Sequence, residues 1–325
     1  MFVKDIFSIK SSSQFNNLAL SVFRLQAKHN KVYHKFLSFL NVDPDAVETV
    51  QEIPFLPIQF FKTNKVISNK NAVEQIFTSS GTTGNLTSKH FVTDVSIYQE
   101  SYTKAFERFY GKIEDYTILA LLPSYLEREG SSLIYMVADL IKRSKNKNSG
   151  FYLSNFSELR NVLIDLEKTN NKVLLFGVSF ALLDLVEKIS FNLKNTIIME
   201  TGGMKGRRKE LIRSELHELL KKGFGVNHIH SEYGMTELLS QAYSKGEGIF
   251  NSPPWMKVLI RDPENAMELL PHKRTGGINI IDLANINSCA FIATQDLGKT
   301  HVDGSFEVLG RFDHSDLRGC NLLIN

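Results

Sequence analysis

The sequence predicts an α/β fold with mixed, largely parallel sheets and a smaller β-rich subdomain toward the C-terminus. Three observations predict it. Through the first two thirds of the chain, short continuous apolar runs alternate with segments of helical periodicity. From about residue 225 the apolar runs shorten and Gly, Asn and Asp separate them. No internal repeat or low-complexity linker interrupts the pattern. Runs apolar on both faces, interleaved with amphipathic helices, are what a parallel sheet covered on both sides requires.

The elements follow in order. Residues 12–40 carry Phe15, Leu18, Leu20, Val22, Phe23, Leu25, Phe36, Leu37 and Leu40, a spacing that predicts one or two helices. In IPFLPIQFFK (53–62), Pro54 and Pro57 block a helix, so this segment reads as an extended strap over the core. YTILALL (116–122), KVLLFGV (172–178) and NTIIMET (195–201) read as buried strands, with helices over 92–110, 131–144, 179–190 and 205–222. Beyond residue 225, VNHIH, WMKVLI, GINIIDL, CAFIAT and SFEVLG read as short strands of an antiparallel, barrel-like closing subdomain.

A chain of 325 residues can bury one large core or two modest ones. Its formal net charge of +3, with no Lys/Arg block, argues against a nucleic-acid partner. Cys289 and Cys320, its two cysteines, form neither a disulfide framework nor a metal-type spacing, and a reducing cytoplasm is the simplest expectation. The N-terminus lacks the pattern of a signal peptide, and no apolar run reaches the roughly 18 residues of a membrane span.

Three segments carry chemistry. SSGTTGNLTSK (79–89) follows the strand-like VEQIFT. Its glycines let backbone N–H groups converge on an anion and its hydroxyls add donors, although it is not a Walker A loop. Alone, it reads equally as a polar turn. In SEYGMTE (231–237), Glu237 offers a hard oxygen ligand for Mg²⁺, Thr236 a hydroxyl for a phosphate oxygen, and Tyr233 a flat face for a base. Alone, it reads equally as a surface turn. In TQDLG (294–298) and DGSFEVLGRFD (303–313), Asp296 could accept from vicinal ribose hydroxyls, and Arg311 could donate to sugar or phosphate. Alone, these are hairpin ends.

Together, SSGTTG, the Gly-Gly turn of ETGG (200–203), EYGMTE, TQDLG and GRFD resemble, in order, the motif set of the adenylate-forming superfamily of acyl-CoA synthetases, nonribosomal adenylation domains and luciferases. IPFLPIQFFK and the ending GRFDHSDLRGCNLL look more narrowly like the acyl-protein synthetase family of the bacterial luminescence fatty acid reductase. The likeness runs from about residue 53 to the end. It implies an adenylate-forming (AMP-binding) domain over 1–310 and a short hinge and tail over 311–325, with the mobile C-terminal domain of larger members missing or truncated.

The resemblance further implies an ATP- and Mg²⁺-dependent acid–thiol ligase acting on a fatty or other carboxylic acid, with an acyl-acceptor or reductase protein as partner. Ser79, Ser80, Gly81, Thr82, Thr83 and Gly84 would cradle the ATP phosphates. Gly202 and Gly203, with Tyr233, would line the adenine slot, and Gly234 would belong to the same nucleotide site. Thr236 and Glu237 would hold phosphate and Mg²⁺, and Asp296 and Arg311 the ribose. The pattern departs at position 87, where larger members carry a lysine and this chain has Thr. The nearest lysine is Lys89. Larger members also bring a lysine from the mobile C-terminal domain to assist adenylation; for that one either Lys89, Arg207 or Arg208 substitutes, or a partner helps, or the reaction is slow.

No protein nucleophile is needed for a carboxylate to attack an α-phosphate, but the second step needs a thiolate. Cys320 lies nine residues beyond Arg311, a reach of about 30 Å at roughly 3.3 Å per residue. On residues alone it reads as either a nucleophile or a buried tail cysteine, and family members are acylated on a cysteine near the C-terminus. Cys289 in CAFIAT reads as core. His228 and His230, alternating along VNHIH, would face one side of a strand and suggest packing more than a metal pair. Tyr125, Ser131, Tyr135, Phe176 and Phe180 could border an acyl tunnel or simply be core. The competing functions are a ligase delivering the acyl group to coenzyme A or a carrier phosphopantetheine, and a catalytically silent binding module.

Overall fold

The structure, a computed structural model, describes residues 2–79, 86–123, 130–153, 155–202, 208 and 211–312. The chain forms two compact units. Unit 1 takes residues up to Phe60, Val66–Asn69 and those from Pro254 onward, and unit 2 takes Phe61–Lys65 and Lys70–Pro253.

Unit 1 begins with α1 (Phe2–Ile6), α2 (Ser12–His29) and α3 (Lys31–Phe39), the two helices expected over 12–40. Their boundaries come from capping: Ser11 Oγ accepts from Gln14 N, and Asn30 Oδ1 accepts from both Val32 N and Tyr33 N. The strap is extended only in part. A two-residue strand, β1 (Leu56–Pro57), gives way to a helical turn, α4 (Phe60–Thr63), as soon as Pro57 is passed.

Unit 2 continues with a hairpin, β2 (Gln75–Thr78) and β3 (Lys89–Val92), then α5 (Val95–Tyr110), β4 (Tyr116–Leu121), α6 (Ser132–Ser144), β5 (Gly150–Phe151), α7 (Phe156–Glu167), β6 (Lys172–Val178), α8 (Ser179–Lys188), β7 (Thr196–Thr201), α9 (Arg213–Phe224), β8 (His230–Tyr233), β9 (Ala242–Ser244) and β10 (Ile249–Asn251). Its sheet runs β10-β9-β8-β7-β6-β4-β5, parallel from β5 to β8 and antiparallel from β8 to β10. β4 is buried along its whole length, as the unbroken apolar run demands.

Back in unit 1, β11 (Met256–Arg261), β12 (Gly276–Asp282), β13 (Phe291–Thr300) and β14 (Phe306–Arg311) form an antiparallel meander, with β1 parallel against β13. Phe291 on β13 anchors the helices through ring contacts with Phe23, Tyr33 and Phe55, at centroid distances of 5.9, 6.1 and 6.3 Å. Gln26 on α2, fully buried, donates to Asn285 O and Ile286 O and accepts from Ala290 N.

The predicted α/β class with a β-rich subdomain is what folds. Four local expectations are corrected. The meander's described strands are open, not barrel-like. α9 starts at Arg213 rather than 205, with Ile212 extended before it. α7 is a helix the periodicity reading passed over. β8 begins at His230, so His228 precedes the strand and the two histidines are not alternate strand residues.

Candidate active site

Unit 2 gathers the loop and turn motifs around β2, β3, β7 and β8. The glycine- and hydroxyl-rich segment joins the two strands of the hairpin. Ser79 N donates to Ser88 O at 3.1 Å and Ser88 N donates to Ser79 Oγ at 2.9 Å, closing the base of the loop. Ser80, Gly81, Thr82, Thr83 and Gly84 lie outside the described residues. Lys89 is exposed and opens β3 opposite Thr78.

The next residue, His90, is fully buried. Its Nδ1 lies 2.9 Å from Thr236 O, and Phe61 meets its ring edge-on at 5.7 Å. A carbonyl only accepts, so Nδ1 carries the proton. Burial holds the ring's pKa down at about 4 against the pull of that carbonyl, so the imidazole is neutral. This contact joins the hairpin to the Thr236–Glu237 turn. Glu237 is itself buried.

β7 and β8 end side by side, with Glu200 opposite Ser231 and Thr201 opposite Glu232. Both carboxylates are buried, but their neighbours differ. Glu200 Oε1 accepts from Arg213 Nη1 at 2.6 Å and lies 3.5 Å from His217 Nε2, while Ser179 Oγ reaches Glu200 Oε2 at 3.0 Å and Gly202 O at 2.9 Å. Burial pulls Glu200 upward, yet His217, Arg213 and Ser231 outweigh it and hold the carboxyl below the ordinary range. Among the described residues, Glu232 has the Thr201 hydroxyl as its donor, at 2.5 Å. Burial raises its pKa to about 7, Thr201 resists, and the Glu200 charge adds to the rise.

These carboxylates support the two glycine turns. Gly202 has φ +66°, a left-handed position that suits glycine. A Cβ at Gly234 would sit 2.5 Å from Glu232 Oε1. Tyr233 closes β8, buried, with Phe250 against its ring edge at 5.9 Å, and the Arg213 guanidinium covers Phe250 at 5.0 Å. Gly203 and Arg207 lie outside the described residues. Arg208 pairs with Asp184 and, bidentately, with Glu187 on α8.

Of the residues named for an acyl tunnel, Tyr125 is outside the described set, Ser131 caps α6, and Tyr135 packs on Phe77 and Tyr98. Phe176 and Phe180 are buried.

In unit 1, Asp296 on β13 faces Arg311 on β14 in register, and Arg311 Nε donates to Asp296 Oδ1 at 3.2 Å. Arg261 is a third member that the sequence reading missed. Its guanidinium lies over Gly277, where a Cβ would come within 2.5 Å of Cζ. It donates to Ile278 O, Asn279 Oδ1 and Thr294 O, and Phe312 stacks on it at 5.4 Å. Burial lowers Arg261 to about 10 while Asp296 opposes the change. Cys289 is core as expected: buried, donating to Phe291 O, its thiol pushed up to about 12 by burial. Cys320 lies outside the described residues.

No group of three or more His, Cys, Asp or Glu among the described residues could hold a metal by itself. A carboxylate such as Glu237 fits Mg²⁺ bound jointly by protein, phosphate and water rather than by a protein cage.

The fold defines the class. The chain matches 2-hydroxyisobutyryl-CoA ligase in an open conformation with its acyl-AMP and CoA at a TM-score of 0.67 and 10% identity, covering 93% of this chain and 71% of that one. It matches ATP-bound MatB from Rhodopseudomonas palustris at a TM-score of 0.55 and 18% identity, covering 75% of this chain and 49% of that one. The chain thus spans about half the length of the MatB structures it matches. The fold is that of the adenylate-forming ligases.

The particular family follows from sequence. The profile "Acyl-protein synthetase, LuxE" matches residues 7–115 and 132–325, and the chain belongs to that family of ligases. A long-chain-fatty-acid–luciferin-component ligase of Vibrio harveyi is 21% identical over 340 residues, covering 97% of this chain and 88% of that protein. One of the same name from Photorhabdus luminescens is 38% identical over 68 residues, covering 21% of this chain and 58% of that protein.

Proposed function

We propose that the chain activates a fatty acid with ATP as acyl-AMP and passes the acyl group to a cysteine thiol, with Cys320 on its own chain as first acceptor. In the first step a carboxylate oxygen bonds to the α-phosphorus, the bridge to the β-phosphate breaks, and pyrophosphate leaves. In the second the thiolate bonds to the acyl carbon and AMP leaves.

The observation that carries this reading is the His90–Thr236 contact, which ties strand β3, at the end of the loop motif, to the Thr236–Glu237 turn within unit 2. On this reading the loop amides and hydroxyls hold the phosphates, Glu237 holds Mg²⁺ and Thr236 a phosphate oxygen. Bound Mg²⁺ would neutralise charge on the phosphates. The Gly202 turn and Tyr233 line the adenine, and Lys89 offers a cation at the loop. The substrate class is supported by family membership, and the domain is read as 1–310 with a hinge and acceptor tail over 311–325.

The test is intact mass of the purified protein after Mg·ATP and mixed fatty acids, before and after neutral hydroxylamine. A hydroxylamine-labile acyl adduct, absent in Cys320→Ser, is the expected result. Pyrophosphate release with no adduct would move the acceptor to coenzyme A, a carrier or a reductase partner. Neither product with any carboxylate would refute the reading.

A further inference from the structure

We propose that His90 is a positioning residue for the Mg·ATP site: from β3 its imidazole fixes the Thr236 peptide, and so the angle at which the Thr236 hydroxyl and Glu237 carboxylate meet the nucleotide phosphates. This rests on the nucleotide reading given above.

Three observations carry it. First, the contact is long-range: Nδ1 on the second hairpin strand holds the carbonyl of a residue 146 positions later at 2.9 Å. Second, His90 stands two residues after Ser88, whose amide and carbonyl are both bonded to Ser79. The closed base of the loop and the Thr236 turn are therefore linked through one short stretch of strand. Third, the other ring nitrogen, Nε2, is buried with no hydrogen-bond partner among the described residues.

An orphaned acceptor costs stability that a phenylalanine of similar size would not. The setting would suit one, since Phe61 lies edge-on to the ring and Phe77 pairs with His90 in register. Packing alone therefore favours an apolar ring here. What only the histidine supplies is the Nδ1–H donor, and a local cost of this kind is one that functional sites tolerate. The neutral state of the ring fits the role, because a second proton would bury an uncompensated cation.

The experiment compares wild type with His90→Phe, His90→Asn and His90→Gln in the full chain, following fatty-acid-dependent pyrophosphate release against Mg·ATP and against fatty acid. Asparagine puts an N–H donor close to where Nδ1 stands, and glutamine puts one nearer Nε2. We expect His90→Phe and His90→Gln to lose roughly tenfold to a hundredfold in kcat/KM for Mg·ATP. The KM for the acid should stay near wild type, His90→Asn should recover most of the loss, and the thermal midpoint of His90→Phe should be no lower than wild type. Wild-type Mg·ATP kinetics in His90→Phe would overturn the proposal. So would equal losses in all three variants with lowered midpoints, since that is the signature of packing. A wild type releasing no pyrophosphate would overturn it together with the adenylation reading, whereas normal wild-type turnover isolates the failure to His90.

Discussion

Replacing Glu232 by Gln should change how stability depends on pH, with a sign and size that follow from its burial. The carboxyl is buried, with the Thr201 hydroxyl as its donor, the ionised Glu200 on the adjacent strand, and Tyr243 opposite it on β9. Arg213 and His217 are directed to Glu200 rather than to Glu232. Its pKa rises from 4.5 to about 7. Between those values the folded chain binds more protons than the unfolded one, so stability falls as pH rises; below 4.5 there is no penalty, and above 7 it is complete. At 1.36 kcal/mol per unit, ionised Glu232 costs about 3 kcal/mol at pH 8. Glutamine still accepts from Thr201 but brings an amide N–H₂, whose own cost of about 1 kcal/mol does not vary with pH. The assay is urea unfolding at pH 5, 6.5 and 8 by far-UV circular dichroism, which sees the helices and strands of both units, alongside fluorescence of Trp255, the single tryptophan, which reports on unit 1. The variant's stability relative to wild type should climb by up to about 3 kcal/mol from pH 5 to pH 8. Parallel curves, or a variant that loses ground at high pH, would refute the assignment.

Two further outcomes follow from unit 1. Gly277→Ala places a Cβ against the Arg261 guanidinium, held by three acceptors, and should destabilise the protein by about 1–3 kcal/mol in thermal or urea unfolding. Cys289 is buried with its thiol pushed up to about 12, so iodoacetamide at pH 7.5 should leave it unlabelled in the native protein and label it in urea, as peptide mass mapping would read.

The strands of unit 2 were legible because a run such as YTILAL is apolar on both faces and has one way to be buried. The ordered motifs were legible as a set for a similar reason: loops that approach an anion need glycine and hydroxyls wherever they occur. What the sequence hid were pairings across distance. Glu200 and Glu232 each precede a glycine turn and look like polar punctuation. A glutamate near the end of the apolar NTIIMET was the available signal, but only the parallel register of β7 and β8 sets Glu200 beside Ser231 and Glu232 beside Thr201. His90 follows a lysine in a short strand, and nothing local announces a partner at Thr236. Arg261 ends a strand like any surface cation, and its burial depends on a missing Cβ on the neighbouring strand. His228 misled because Ile229 between two histidines imitates strand alternation, whereas the strand starts only at His230.

The discontinuity of unit 1 orders events on the ribosome. Its helices α2 and α3 are made first, yet the residue that anchors their aromatic side chains, Phe291, arrives only after all of unit 2 has been synthesised. At about 5–20 residues per second this is a wait on the order of tens of seconds. During it, Phe23 and Tyr33 have no sheet to pack on, while unit 2, nearly continuous in sequence, can close by itself. The nascent chain therefore carries its earliest helices as a temporarily sticky leader, a natural client for holding chaperones. A translation stop before β13 would leave unit 2 whole and those helices permanently unhoused.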